Sequence, residues 1–437
     1  MPHPVSTSSS ASSDPPERPA TFRDVFANGE YRAVFSATVL SWVGDYLAKI
    51  AVTVLVFQQT GSAGVAAATF AISYAPWLLI GPVLTALAER MPRRTVMIIS
   101  DIARMIFIGL VALVDMPVPL MIVLLFLTAL GNPPYDAARS ALTATLLPGD
   151  KLVVGLAFAA SAGQAAQIGG YLGGGLLAAV DPHLALLIDA ATFAISALLI
   201  GLFVKRRPPV ERGARQNLLR ETIDGFRMVF GTPALRGIAV VIFGVMLFST
   251  LPEGLGVIWT DALRPPDDRT RGLTQGLIML VPALGFIVGG LLVGRLVRPD
   301  TRNRLIRPLA VLTPLVLVPA LLNPPLWAVC LMGFLCGASV AGILPAANGL
   351  FVQALPNTHR SRAFGVMQSG MQLLQGGSIF IVGLLARPAS MLPTVVGLWC
   401  LAGVGLMLVV ALLVWPAQER FTAAIERARQ INQASAA

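Results

Sequence analysis

The stretch Gln164-Ala-Ala-Gln167-Ile-Gly169-Gly170-Tyr-Leu-Gly173-Gly174-Gly175-Leu176-Leu177-Ala178 has a counterpart 208 residues later, Gln372-Leu-Leu-Gln375-Gly-Gly377-Ser-Ile-Phe-Ile-Val-Gly383-Leu384-Leu385-Ala386. The same offset holds further out. It pairs Gly81 with Gly289, Arg90 with Arg298, Arg94 with Arg302, Phe126-Leu127 with Phe334-Leu335, and Leu147-Pro148 with Leu355-Pro356. Matches of Leu or Ala mean little in so apolar a chain, but Gln, Pro and Arg are scarce enough that one gapless register argues for two similarly folded halves. Repeated halves of this kind are the usual build of secondary transporters, with the substrate site between them near the membrane midplane.

Composition makes the membrane assignment almost independently. At 55% hydrophobic and 12% charged, with mean hydropathy +0.75, the 437 residues supply too little polar surface to coat a soluble exterior. Twelve apolar stretches are long enough to cross roughly 30 Å of hydrocarbon as helices. They fall at about 32–57, 64–88, 95–115, 118–147, 152–180, 184–204, 235–260, 273–297, 306–322, 326–354, 362–386 and 391–415. Solid apolar runs, rather than alternating ones, argue against a β-barrel. Most of the 32 Lys and Arg lie in the termini and the even-numbered loops. Arg264, Arg269, Arg271 and Arg387 stand on the opposite side, and Lys49, Arg104 and Arg139 inside helices. Both termini are therefore expected in the cytoplasm. The net charge of +10 follows from that asymmetry and from anionic headgroups, without a nucleic-acid partner.

The expected fold class is an all-α membrane protein of two six-helix halves. Residues 1–30 are expected to form a disordered cytoplasmic tail, Ser/Pro-rich to about Pro19 and with no signal-peptide core, 31–204 the first half, 205–232 a linker, 233–415 the second half and 416–437 a second cytoplasmic tail. Within the linker, Leu218, Leu219, Ile223, Phe226, Val229 and Phe230 make an apolar stripe against Arg215, Arg220 and Arg227, as in a helix lying on the inner leaflet. Cys330, Cys336 and Cys400 fall inside spans without a CxxC pair, and His3, His183 and His359 are scattered, so neither metal nor cofactor is expected. No Walker sequence occurs. No nucleophile, base and orienting group come together either, so the chain does not read as an enzyme.

The loop after the second span reads Thr85-Ala-Leu-Ala-Glu89-Arg90-Met-Pro92-Arg93-Arg94. It resembles the signature of the major facilitator superfamily, with Thr85, Glu89 and Pro92 standing where Gly, Asp and Gly are usual. The resemblance implies the twelve-helix major facilitator fold. It also implies a cytoplasmic gate in which Glu89, with Arg90, Arg93 and Arg94, latches the halves by approaching the N-terminus of the eleventh helix, where an acid is favoured. The bland alternative for the arginines is a positive-inside anchor. In the fifth span, Gly169, Gly170, Gly173 and Gly174 are similar to the glycine motif of exporters in this superfamily, with Gly170 in place of its proline. Generic small-residue packing explains the same glycines. Gln59-Thr60-Gly61-Ser62, Leu147-Pro148 and Ile188-Asp189-Ala-Ala-Thr-Phe193 are similar to the enterobactin-exporter-like, drug-proton antiporter branch, and the resemblance covers about residues 30 to 415.

Ionisable groups inside a bilayer are costly unless paired or facing a wet cavity. Asp45 and Lys49 stand one turn apart on the first span, placed for an i,i+4 pair. The 208 offset sets Asp45 on Glu253, so both halves carry an acid in their first helix. Asp45, Lys49, Glu253 and Asp101 are the proton-coupling candidates. Asp101 with Arg104 and Asp136 with Arg139 read as i,i+3 braces, and Asp189 as an interhelical hydrogen bond near the outer interface. Gln164, Gln167, Gln372 and Gln375 supply either a cavity lining or bonds between helices. The expectation is a monomer in a bacterial plasma (inner) membrane, the organism class resting on arginine outnumbering the lysines Lys49, Lys151 and Lys205. Its partners are protons, the lipid bilayer and an amphiphilic small molecule that it exports in exchange for protons. Proton-symport uptake of a polar metabolite is the alternative within transport, and a non-transporting scaffold or receptor the alternative outside it.

Overall fold

The structure, a computed structural model, describes residues 21–76, 91–148, 150–208, 218–356 and 360–434. Those residues are helical throughout, joined by short turns. After a short helix α1 (Phe22–Phe26), the Asn28 side chain accepts from the backbone N–H groups of Glu30 and Tyr31 at 3.0 and 3.2 Å. That caps the first turn of α2 (Gly29–Thr60), which ends where Gly61 adopts the left-handed φ of 60° open to glycine. α3 (Ala63–Ala71) continues as a single 3₁₀ turn to Tyr74. Beyond Pro92 follow α4 (Arg93–Leu113), α5 (Val118–Leu130), α6 (Asn132–Leu146), α7 (Asp150–Val180) and α8 (Pro182–Phe203).

The amphipathic linker segment is α9 (Leu218–Gly231). It docks through Gly225, where an added Cβ would stand 2.9 Å from the Arg362 carbonyl, and through buried Val229, while Ile223 and Phe226 stay exposed. The rest of the chain forms α10 (Pro233–Ser249), α11 (Leu251–Gly254), α12 (Gly256–Leu263), α13 (Asp268–Leu296), α14 (Pro299–Leu315), α15 (Leu326–Gln353), α16 (Arg360–Leu385), α17 (Leu392–Val409) and α18 (Gln418–Ala434).

Among the described residues nine helical segments are long and apolar enough to cross a membrane. α7 and α16, the two glycine- and glutamine-bearing repeats, are 31 and 26 residues long, and the short apolar run Ala63–Tyr74 leads into 77–90, which lie outside the described residues. Leu202, Leu412 and Leu413 are 68%, 75% and 79% exposed, a degree that only lipid makes tolerable for so many large side chains.

Two spans expected to be regular throughout are kinked, each at a single-residue turn inside a segment that still spans. The fourth divides at Gly131, where Pro133 and Pro134 remove successive backbone donors. The seventh divides into α10, α11 and α12 around Pro252, and the interruption carries Glu253. Interrupted helices in transporters mark binding regions, because unpaired backbone is tolerated there only in protein or a wet cavity.

The two sets of helices meet closely at the end of the bundle opposite the termini. A Cβ at Gly175 on α7 would stand 2.5 Å from the Gly272 carbonyl and 2.9 Å from the Gly276 nitrogen on α13. A Cβ at Gly383 on α16 would collide with Ala67 on α3. Backbone-to-backbone approach of this kind needs glycine, and it brings the two sets of helices together at that end.

Candidate functional site

Within the first half, rather than between the halves as expected, lies a cavity of about 250 Å³ lined by Trp42, Asp45, Tyr46, Lys49, Phe70, Asp136 and Asp189, among others, on α2, α3, α6 and α8. Apolar rings with a few convergent charges are the make-up of a small-molecule site. Asp136 accepts from Arg139 at 3.1 Å, and that guanidinium lies 5.3 Å from the Trp42 ring centroid.

The expected pairing of Asp45 with Lys49 is not formed. Asp45 instead accepts both of its close bonds from Nη2 of Arg104 on α4, at 2.7 and 2.8 Å. A planar guanidinium presents more donors to a carboxylate than an ammonium does, and Lys49 is drawn elsewhere. Its Nζ lies 4.9, 5.7 and 5.8 Å from the ring centroids of Tyr46, Tyr74 and Phe70, a cation–π setting. Arg104 is 2% exposed and lies 4.0 Å over Phe193. Its other terminal nitrogen is 3.7 Å from Asp101, which is wholly buried and accepts from Ser196 Oγ at 2.6 Å. The brace read for Asp101 and Arg104 is thus the weaker arm of a fork that reaches Asp45.

Asp189, 1% exposed, completes the group within electrostatic reach of both Asp45 and Arg104. Thr192 Oγ1 donates to its carboxylate at 3.3 Å. Two glycines make the assembly possible. A Cβ at Gly131 would stand 2.7 Å from Arg104 Cδ, so the break in the fourth span also clears room for the arginine stem, and a Cβ at Gly44 would run into Asp189 and Thr192. Sequence reading left Asp189 at the outer interface and saw Arg104 only as a local brace. The one signal for the cluster was four ionisable residues on three spans with a single long cation among them.

Glu253 lies across the seam from this cavity. It accepts a hydrogen bond from the Tyr171 hydroxyl of α7, and the Lys49 charge and the Gln167 amide also act on it. Tyr171 is fully buried and meets the edge of Tyr46 at 5.0 Å. Lys49, Tyr46, Tyr171 and Glu253 therefore link the first and second sets of helices.

The four glutamines do not line one cavity. Gln167 turns to Glu253, Gln375 donates to Met246 Sδ at 2.9 Å, and Gln372 lines a separate, mostly apolar cavity of about 280 Å³ between α3 and α16. Gln164 Oε1 is buried without a partner among the described residues.

Of the glycine set, Gly170 and Gly174 pack against the α2 backbone, at 2.8 Å from the Val43 carbonyl and 3.0 Å from Leu47 Cα for an added Cβ. Gly169 and Gly173 have nothing within 4 Å. One helical face of the motif is a contact and the other is open. Glu89 and Arg90 lie outside the described residues. Arg93 donates to the Ala141 carbonyl at 2.7 Å and to Thr145 Oγ1 at 2.5 Å, and Arg94 to the carbonyls of Ile200 and Gly201. Both arginines bind helices of the first half, α6 and α8, rather than reaching across the seam.

Comparison with known proteins matches residues 34–322 to the family model described as Major Facilitator Superfamily. Among curated proteins no relative matches. Solved structures agree on the fold at low identity. A bacterial homolog of the human lysosomal transporter Spinster, inward-facing and occupied, is 13% identical, covering 90% of this chain and 96% of its own, with a TM-score of 0.66. The nucleoside transporter NupG is 17% identical over 90% of this chain and 99% of its own, with a TM-score of 0.64. A POT family transporter in complex with 5-aminolevulinic acid is 13% identical over 87% and 94%, with a TM-score of 0.69.

Proposed function

The chain belongs to the major facilitator superfamily and is a multi-pass membrane transporter, and from that premise we propose that it exports amphiphilic small molecules, cations foremost, in exchange for protons by alternating access. The observation that carries the coupling is the meeting of Asp45 and Asp101 on the single guanidinium of Arg104, with buried Asp189 within electrostatic reach of both Asp45 and Arg104. With every group ionised the cluster holds two negative charges in excess, which a membrane interior does not sustain cheaply. Protons or a cationic substrate can cancel that excess. Because both would occupy the same carboxylates, binding of one opposes binding of the other, and mutual exclusion is what exchange requires.

Substrate preference follows from the wall. Trp42, Tyr46 and Phe70 offer apolar and cation–π surface beside Asp45, Asp136 and Asp189. With both termini cytoplasmic, as the arginine asymmetry favours, the end where α7 meets α13 faces outward, and the export reading has the cavity load from inside. A thermal-shift screen of the purified protein tests the reading. Amphiphilic organic cations at 100 times their dissociation constant should add about 2.7 kcal/mol of apparent stability, and a fixed concentration of the same cation should stabilise more at high than at low pH as protons leave the carboxylates. Stabilisation by polar anions or sugars alone would refute the substrate class. Accumulation of the stabilising compound inside proteoliposomes in step with inward proton flow would refute exchange.

A further inference from the structure

A second cavity, of about 310 Å³, opens at the end of the bundle that carries the termini, where α4, α6 and the chain after α8 meet. Its lining includes Arg93, Arg94, Lys205, Arg207 and Thr145. We propose that this basic pocket binds the phosphodiester of an anionic phospholipid from the adjacent leaflet, a site independent of the transport reading.

The argument is one of uncompensated charge. Arg207 is neutralised, its fork bonded to Glu30 at 2.7 and 3.0 Å. Arg93 and Arg94 bond only to neutral oxygens, the Ala141, Ile200 and Gly201 carbonyls and the Thr145 hydroxyl, and the Lys205 ammonium has no carboxylate at ion-pair distance among the described residues. Three cations thus face one cavity whose lining holds no acid among the described residues, and Glu30, already bonded to Arg207, is the one carboxylate acting electrostatically on Lys205. The carbonyl bonds fix both guanidiniums in place while leaving most of the Arg93 N–H donors unused, and planar guanidinium donors fit phosphate oxygens. An anion of the right shape removes the mutual repulsion of the three.

The surroundings select lipid over a soluble anion. Leu198, Leu202 and Phe203, on the last turns of α8 leading to Lys205, are 59%, 68% and 58% exposed. They form an apolar wall along which acyl chains can run while the headgroup sits in the pocket. Basic pockets between spans at this level of a membrane protein are where anionic headgroups bind.

The test is native mass spectrometry of the full-length protein, delipidated and offered phosphatidylglycerol, phosphatidylcholine or inorganic phosphate. Phosphatidylglycerol should be retained in preference to phosphatidylcholine. Lys205→Gln, an exposed position that leaves folding intact, should lower its occupancy about fivefold, and Arg93→Gln with Lys205→Gln about 25-fold, on the scale of one cation's attraction to an anionic surface. Lys205→Arg should retain it, and so should Arg427→Gln, which removes an exposed charge of α18 away from the pocket. Equal retention of the two lipids, or an equal loss in Arg427→Gln, would overturn the site. Displacement of phosphatidylglycerol by inorganic phosphate with the same dependence on Lys205 and Arg93 would overturn the lipid as its occupant.

Discussion

Arg104 sets how much negative charge the interior of the first half can hold. Breaking a buried charge pair by removing one partner costs about 3–5 kcal/mol, because the remaining charge is left uncompensated. Arg104→Gln should therefore lower the unfolding free energy by that order, measured by denaturation in micelles. Asp189→Asn in the same background should recover part of the loss, since one surplus acid is gone. A double-mutant cycle with no coupling would show that Asp189 does not belong to the cluster. The acids and the arginine were all visible in the sequence, but their partnership was not. Asp45 and Lys49 satisfy the local i,i+4 rule, whereas Arg104 reaches Asp45 only because α2, α4 and α8 pack together, and a one-dimensional spacing rule carries no information about that. Lys49 was diverted by Tyr46, Phe70 and Tyr74, two of which lie on another helix.

At the level of elements, apolar runs pointed to the nine spanning segments found among the described residues, because a spanning helix must be long and uniformly apolar. Their interruptions were less legible. Pro133 and Pro252 were in plain view, but proline inside a span is tolerated often enough that it does not by itself announce a break. The glycine repeat that pointed to the fold also lies at the contact of the two sets of helices, since Gly175 of α7 closely approaches Gly272 and Gly276 of α13. Gly175→Leu inserts a side chain where even a Cβ is crowded. Overpacking of about 1–3 kcal/mol should favour separation of α7 and α13 at the end opposite the termini. A cysteine replacing Ser73, which lines the main cavity, should then react roughly tenfold faster or more with an impermeant reagent applied at that end. Unchanged reactivity in a folded Gly175→Leu protein would mean that the contact is not part of the gate.

For the molecule as a whole, orientation rests on the distribution of Arg and Lys. Single cysteines at Gln59 and Ala423, both exposed and at opposite ends of the bundle, should label from outside and only after permeabilisation, respectively. The reverse pattern would turn the end where α7 meets α13 toward the cytoplasm and the basic pocket toward the other leaflet. The fold and this asymmetry came from composition and repeat, which are properties of the whole chain. The proposed coupling depends on four side chains whose meeting only the packed structure discloses. The central claim is that protons and substrate share the carboxylates around Arg104, and transport by Asp45→Asn in proteoliposomes under an imposed pH gradient tests it most directly. The substitution keeps the size of the side chain and removes its ionisation. Uphill, proton-driven export should be abolished while downhill exchange of substrate remains measurable. Uphill export at the parent rate, with its pH dependence intact, would contradict the account.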